Sequence, residues 1–206
     1  MDYNRKMEDR IRSAQDGTPL FLHACCAPCA SSAVERLGHR FSITLFYYNP
    51  NLWPREEYEK RLAAFTPLLE RAKTAYPLTF EAGPYHSEAF SQLARPLAGE
   101  PEGGRRCAAC FAFRLRLVSI TAAKRGFPLV GTTLTVGPRK NAALVNETGA
   151  AMAAEQGIEW LPADLKKKDG YRRSVMLSEE YGLYRQGYCG CEYSLPKPAA
   201  PAQAER

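Results

Sequence analysis

This chain has no apolar run approaching the roughly 20 residues that a membrane-spanning helix needs, which argues against a helical membrane protein. Its opening stretch, MDYNRKMEDRIRSAQDG, mixes both charge signs around no apolar segment and does not read as a secretory signal. The expectation is a cytoplasmic protein with no membrane partner, in a compartment where thiols stay reduced. No internal repeat is visible. No acidic residue falls between Arg105 and Arg125, a span with six basic ones, and none of the seven cysteines stands alone.

The 206 residues suffice for one substantial core, and 45% hydrophobic with 24% charged residues is ordinary for a globular domain. The net charge of +6 is concentrated in two places. One is the Arg105–Arg125 span; the other is Lys166, Lys167, Lys168, Arg172 and Arg173, interrupted only by Asp169. A polyanion such as RNA is a candidate partner.

Apolar and β-branched runs at 19–24 (PLFLHA), 41–50, 77–83, 127–138 and 158–164 read as strands. Helical spacing marks 28–38, 54–75 (with Pro67 expected to bend or split it), 86–93, 107–125, 141–156 and 170–180. Strands alternating with helices predict an α/β fold with a mainly parallel sheet, whose sites gather at the carboxyl ends of the strands. Cys25 and Cys26 follow the first strand, and Thr132 to Pro138 follow a later one, so both belong at the same end.

The cysteines fall in three motifs: HACCAPCA (Cys25, Cys26, Cys29), CAAC (Cys107, Cys110) and YCGC (Cys189, Cys191). A core cysteine behaves as a small hydrophobe and has no reason to seek other thiols, so this grouping points to metal, iron–sulfur or disulfide chemistry. Adjacent Cys25 and Cys26 point in different directions, which suits two irons of one cluster, or a cluster and a neighbouring metal, better than chelation of a single ion. Cys29 is placed at a helix opening, where the dipole favours a thiolate. A CxxC pair opening a helix puts both sulfurs on one side, as in zinc, iron–sulfur and thioredoxin-like sites. The CxC pair could close a small strained disulfide suited to redox turnover, or supply two more metal ligands. His23 is as consistent with a core histidine as with a functional one. Tyr47, Tyr48, Tyr171, Tyr181, Tyr184 and Tyr188 are candidates for base stacking or simple packing.

HACCAPC, FYYNPN followed by EYEKR, CAACFAFRL, GTTLTVGPRKN, KKKDGYRRS and SEEYGLYRQGYCGC together resemble the QueH family, cobalamin-independent epoxyqueuosine reductases. The likeness runs from about Leu20 to Ser194 and keeps motif order and spacing. It implies a HUP-like domain related to the PP-loop nucleotide-binding enzymes over 19–194, after an N-terminal extension (1–18) and before a disordered tail (195–206). The cysteine-bearing C-terminal segment would close over the site. The phosphate loop of the PP-loop relatives is missing, and HACCAPC stands in its place. The implied activity is two-electron reduction of the epoxide of epoxyqueuosine to queuosine at the tRNA wobble position, with tRNA and an electron donor of unknown identity as partners.

The resemblance assigns Cys25, Cys26, Cys107 and Cys110 to a [4Fe–4S] cluster and Cys189 with Cys191 to a redox-active disulfide. It leaves Cys29 as a variable ligand position that could hold an additional iron or leave a cluster coordination site open. On that reading Arg139, Lys140, Lys167, Lys168, Arg172 and Arg173 meet tRNA phosphates. Two other functions fit parts of the pattern: a non-catalytic zinc-stabilised RNA-binding module, and a PP-loop-like tRNA thiolation enzyme, which would need the absent phosphate loop.

Overall fold

The computed structural model describes residues 1–195. The expected tail therefore lies outside the described residues from 196 onward. The elements run α1 (Tyr3–Ser13), β1 (Thr18–His23), α2 (Ala27–Leu37), β2 (Phe41–Tyr47), α3 (Arg55–Ala63), α4 (Phe65–Arg71), β3 (Leu78–Ala82), α5 (Ser87–Ala94), α6 (Arg105–Lys124), β4 (Leu129–Thr132), α7 (Ala142–Ala154), β5 (Glu159–Trp160) and α8 (Gly170–Tyr181). Five strands form one sheet in the order β3-β2-β1-β4-β5, every pairing parallel.

The strand pattern explains the layering. Along β1, Leu20 and Leu22 point to one face and Phe21 to the other, all essentially inaccessible to water. A strand buried on both faces reads as continuous apolar sequence, as PLFLHA does. The Leu20/Leu22 side packs Ile43 and Leu45 against α1, α2 and α4. The Phe21 side packs Val130 against α6 and α7 through Leu115, Val118, Val145 and Ala153. Each fully buried side chain of this size stabilises the fold by about 1.5–3 kcal/mol relative to exposure.

The 54–75 helix is split, but not at Pro67. The break falls at Ala64, between α3 and α4, and Pro67 sits in the first turn of α4. A proline there loses no intrahelical bond, because first-turn N–H groups have no partner in any case. Residues 3–13, for which the sequence suggested no element, form α1. Asp2 caps it through Arg5 N (3.0 Å), and Met7 and Ile11 enter the core. Among the described residues no helix is long and apolar enough to cross a membrane.

Candidate functional site

The strand order reverses direction in the chain between β1 and β4, so a crevice opens beyond their carboxyl ends. Chain leaving β1 supplies Cys25, Cys26 and, in the first turn of α2, Cys29. Pro28 fits that first turn, and Cys26 is the N-cap, its sulfur accepting from Cys29 N at 3.4 Å. Chain leaving β4 supplies Thr133, whose backbone N–H donates to His23 O (2.9 Å) and whose hydroxyl accepts from Cys25 N (3.1 Å). Cys107 and Cys110 sit one turn apart near the start of α6. Cys189 and Cys191 arrive on the segment after α8.

All seven cysteines line one cavity of about 310 Å³. They are not equally close. Cys25, Cys26 and Cys29 form a trio whose sulfurs all lie within 4.8 Å of one another. Cys107 and Cys110 face the same hollow outside that trio, and Cys191 packs with Cys110, Phe90 and Ala94. All seven are free thiols, Cys189 and Cys191 included.

The trio shares its charge unequally. Hydrogen bonds from Cys26 and Cys29 hold the Cys25 thiol well below its usual range, helped by the Thr133 hydroxyl and the Arg114 charge. Those same bonds, seen from the other side, keep Cys26 protonated, pushed up to about 12, and raise Cys29. Cys29 opens the helix as expected, and its two sulfur neighbours together with burial raise its thiol. One negative charge among three touching thiols settles where a hydroxyl and a guanidinium already face it, and then repels a second. Burial pushes Cys110 up to about 11.

The wall beneath the cysteines was not anticipated. Arg114 is buried and donates to Asn49 Oδ1, while Asn49 Nδ2 donates to Ala24 O (2.9 Å). The signal was present in the sequence: Cys107, Cys110 and Arg114 fall at i, i+3 and i+7 and so share one helix face. His23 proves to be a core residue. Its Nε2 donates to Tyr48 O (3.1 Å) and its Nδ1 accepts from Thr132 Oγ1 (2.7 Å). Burial and the nearby Arg114 charge push it down to about 3, so the ring is neutral. Tyr47 and Tyr48 are likewise buried, whereas Tyr171 and Tyr188 line the cavity.

A second unanticipated residue, Arg61 of α3, fastens the YCGC segment. Its two terminal nitrogens donate to Cys189 O (3.0 Å) and Tyr188 O (3.2 Å), while Nε pairs with buried Glu57 at 2.7 Å. Trp53 N donates to Gly190 O (2.8 Å). Gly190 has φ +113°, and a Cβ there would stand 2.2 Å from Leu52 Cδ2, so the backbone passes where only glycine fits.

The expected RNA-facing residues divide. Arg139 and Lys140 line the cavity, and Lys140 is turned inward, its Nζ donating to Cys189 Sγ at 3.1 Å. Burial lowers its basicity, but the Cys189 sulfur and Glu102 outweigh burial and keep the ammonium charged. Lys167, Lys168, Arg172 and Arg173 lie outside the cavity lining. Arg173 is paired with Glu35 (2.6 Å) and Lys168 with Glu8 (3.7 Å). Among the described residues Lys167 and Arg172 have no carboxylate partner. Much of the 105–125 charge is also engaged internally: Arg105 with Glu100, Arg116 with Glu155, Arg125 with Glu81, and Arg106 with the carbonyls of Leu97 and Ala98.

The walls suit a metal-bearing guest. Clustered sulfurs are the donor type that binds zinc and iron–sulfur clusters, and a buried guanidinium and ammonium offset anionic charge. Asn51 Oδ1, Arg114 Nε and Gln186 Oε1, all on residues lining the cavity, are buried without hydrogen-bond partners. Buried polar atoms are rarely left so unless something else meets them.

Fold and cavity together define a class: a doubly wound parallel α/β protein whose switch point is walled by thiols. The sequence comparisons narrow it further. Residues 20–197 match the family model described as epoxyqueuosine reductase QueH. A protein of that name from Staphylococcus epidermidis is 36% identical over 182 residues, covering 86% of this chain and 76% of its own. One from Streptococcus pyogenes is 35% identical over 199 residues (94% and 78%), and one from Thermotoga maritima 34% over 182 residues (87% and 91%). The chain belongs to the QueH family of epoxyqueuosine reductases, and is an oxidoreductase.

Proposed function

We propose that this chain reduces the epoxide of epoxyqueuosine in tRNA to the alkene of queuosine. In this reading Cys25, Cys26, Cys107 and Cys110 hold a [4Fe–4S] cluster, Cys29 is the donor to an additional iron, and Cys189 with Cys191 are the redox pair. The observation that carries it is the convergence of all seven cysteines, from three distant segments, on one cavity at the switch point. When bound, an iron–sulfur cluster supplies electrons one at a time, and an iron with an open position supplies a Lewis acid.

The chain's own residues account for the rest. Epoxide to alkene consumes two electrons and two protons and releases water. A dithiol closing to a disulfide releases two electrons and two protons, so Cys189 and Cys191 balance the conversion. An external electron donor must then reopen the disulfide. Arg61 holds the start of the YCGC segment against the cavity through the backbone carbonyls of Tyr188 and Cys189, and Arg114 offers fixed positive charge beneath it. Lys167 and Arg172 supply unpaired charge for tRNA phosphates at the outer surface, and exposed Arg139, which shares Glu102 with Lys140, adds charge at the cavity rim. The proposed setting is the cytoplasm.

The test is anaerobic reconstitution with iron and sulfide, then incubation with epoxyqueuosine-bearing tRNA and mass analysis of its nucleosides. Queuosine should appear with the parent protein. It should be lost with Cys189→Ser and Cys191→Ser while the visible cluster absorption persists. Full turnover in both variants would remove the redox pair. Stoichiometric zinc without a chromophore would favour the zinc-stabilised RNA-binding module instead.

A further inference from the structure

Lys140 is the one cation bonded to a sulfur of the YCGC pair among the described residues. Its position is built rather than incidental. Its backbone N–H donates to Gly137 O (3.1 Å), and Lys166 Nζ donates to its carbonyl (3.4 Å). The Lys140 side chain is only 16% exposed, so its flexible stem is confined. Two groups lie closest to the ammonium, Cys189 Sγ at 3.1 Å and Glu102 Oε1 at 3.6 Å, and the Cys107 thiol acts on it from farther away. The second distance is beyond a normal hydrogen bond, so the sulfur is the directed partner. Glu102 is in turn shared with exposed Arg139 at 3.8 Å.

The two sulfurs of the pair therefore differ. Cys191 is buried against Phe90 and Ala94, and its neighbouring hydroxyl, Ser194 Oγ, is engaged with Gly190 N and Cys191 O. Cys189 is half-buried and carries an ammonium. We propose that Lys140 is a positioning residue of the redox pair, fixing Cys189 as the sulfur that receives negative charge when the Cys189–Cys191 disulfide opens. The inference rests on the redox pair proposed above.

The chemistry closes as follows. A dithiol reductant breaks the Cys189–Cys191 bond and forms its own intramolecular disulfide. Two electrons enter the pair: Cys189 is left as thiolate beside Lys140, Cys191 keeps one proton, and one proton goes to solvent. A cation beside the product thiolate stabilises the reduced pair against the disulfide, which makes the disulfide easier to reset.

The test equilibrates the reconstituted protein anaerobically in buffers of reduced and oxidised dithiothreitol. After acid trapping and alkylation, the 189–191 peptide is weighed. Lys140→Gln should shift the equilibrium about tenfold toward the disulfide, about 30 mV for a two-electron couple, and Lys140→Arg should restore most of it. In the same preparations, the ratio of iodoacetamide labelling at Cys189 to that at Cys191 should fall in Lys140→Gln. This ratio is internal to each molecule and does not depend on the yield of folded protein. A disulfide that forms in Lys140→Gln with an unchanged equilibrium and labelling ratio overturns the role of Lys140 alone. Absence of any Cys189–Cys191 disulfide in the oxidised parent overturns the redox pair itself, and this inference with it.

Discussion

Replacing Arg61 with methionine keeps the apolar stem and removes a guanidinium that makes three bonds inside the protein. One is to Glu57 at 2.7 Å; the other two are to the carbonyls of Cys189 and Tyr188. Both members of the ion pair are almost completely buried, at 3% and 9% side-chain exposure. Breaking such a pair on one side costs about 3–5 kcal/mol, because the remaining charge is stranded. The two carbonyl bonds, donated by a charged group, are each worth about 1.5–3 kcal/mol. These figures do not add, because the YCGC segment can peel away and let water reach both carbonyls and Glu57. Arg61→Met should therefore lower global stability by about 3–5 kcal/mol. The larger effect should be local, as faster hydrogen exchange at residues 188–191. Urea unfolding and exchange mass spectrometry read the two separately. The double variant Glu57→Gln/Arg61→Met removes the stranded charge and should recover part of the global loss but none of the local protection. A single variant within about 0.5 kcal/mol of the parent, with normal exchange at 188–191, would refute the anchoring role.

Gly190→Ala forces a side chain into a left-handed backbone against Leu52 and Arg61; strain of about 1–3 kcal/mol should appear as faster exchange of the same segment with bound iron unchanged. Met7→Ala empties a fully buried position on α1 and should cost about 2–5 kcal/mol in urea unfolding, whereas a dispensable N-terminal arm would show almost nothing. Lys167→Glu with Arg172→Glu should raise KM for tRNA and flatten the salt dependence of binding, with iron content unaltered; an unchanged salt slope would place the tRNA elsewhere.

Much of this molecule is legible in its sequence because local rules suffice for it. PLFLHA is a strand because it is apolar on both faces, and Pro28 and Gly38 bracket α2 as helix rules require. The grouping of thiols needed only composition and spacing. What stayed hidden depends on partners far away in the chain. Arg114 and Arg106 look like members of a basic stripe until burial shows them bonded to Asn49 and to the carbonyls of Leu97 and Ala98. Arg61 looks like half of an ordinary i,i+4 pair with Glu57, and its hold on residues 188 and 189 has no local signature. Lys140 reads as one more phosphate-binding cation because sequence gives no side-chain direction. α1 was missed because two buried residues, Met7 and Ile11, are a thin apolar stripe among charges. The unequal charge on the HACCAPC thiols arises from their mutual hydrogen bonds, with help from Thr133 just after β4 and from Arg114 of α6, neither of which is near in sequence.

The segment bearing Cys189 and Cys191 is synthesised after every other wall of the cavity. At about 5–20 residues per second, the stretch between Cys110 and Cys189 takes roughly 4–16 s to make. Until then Arg61 has no carbonyl of residues 188 and 189 to hold, so the latch over the five earlier thiols is the last part of the cavity to close.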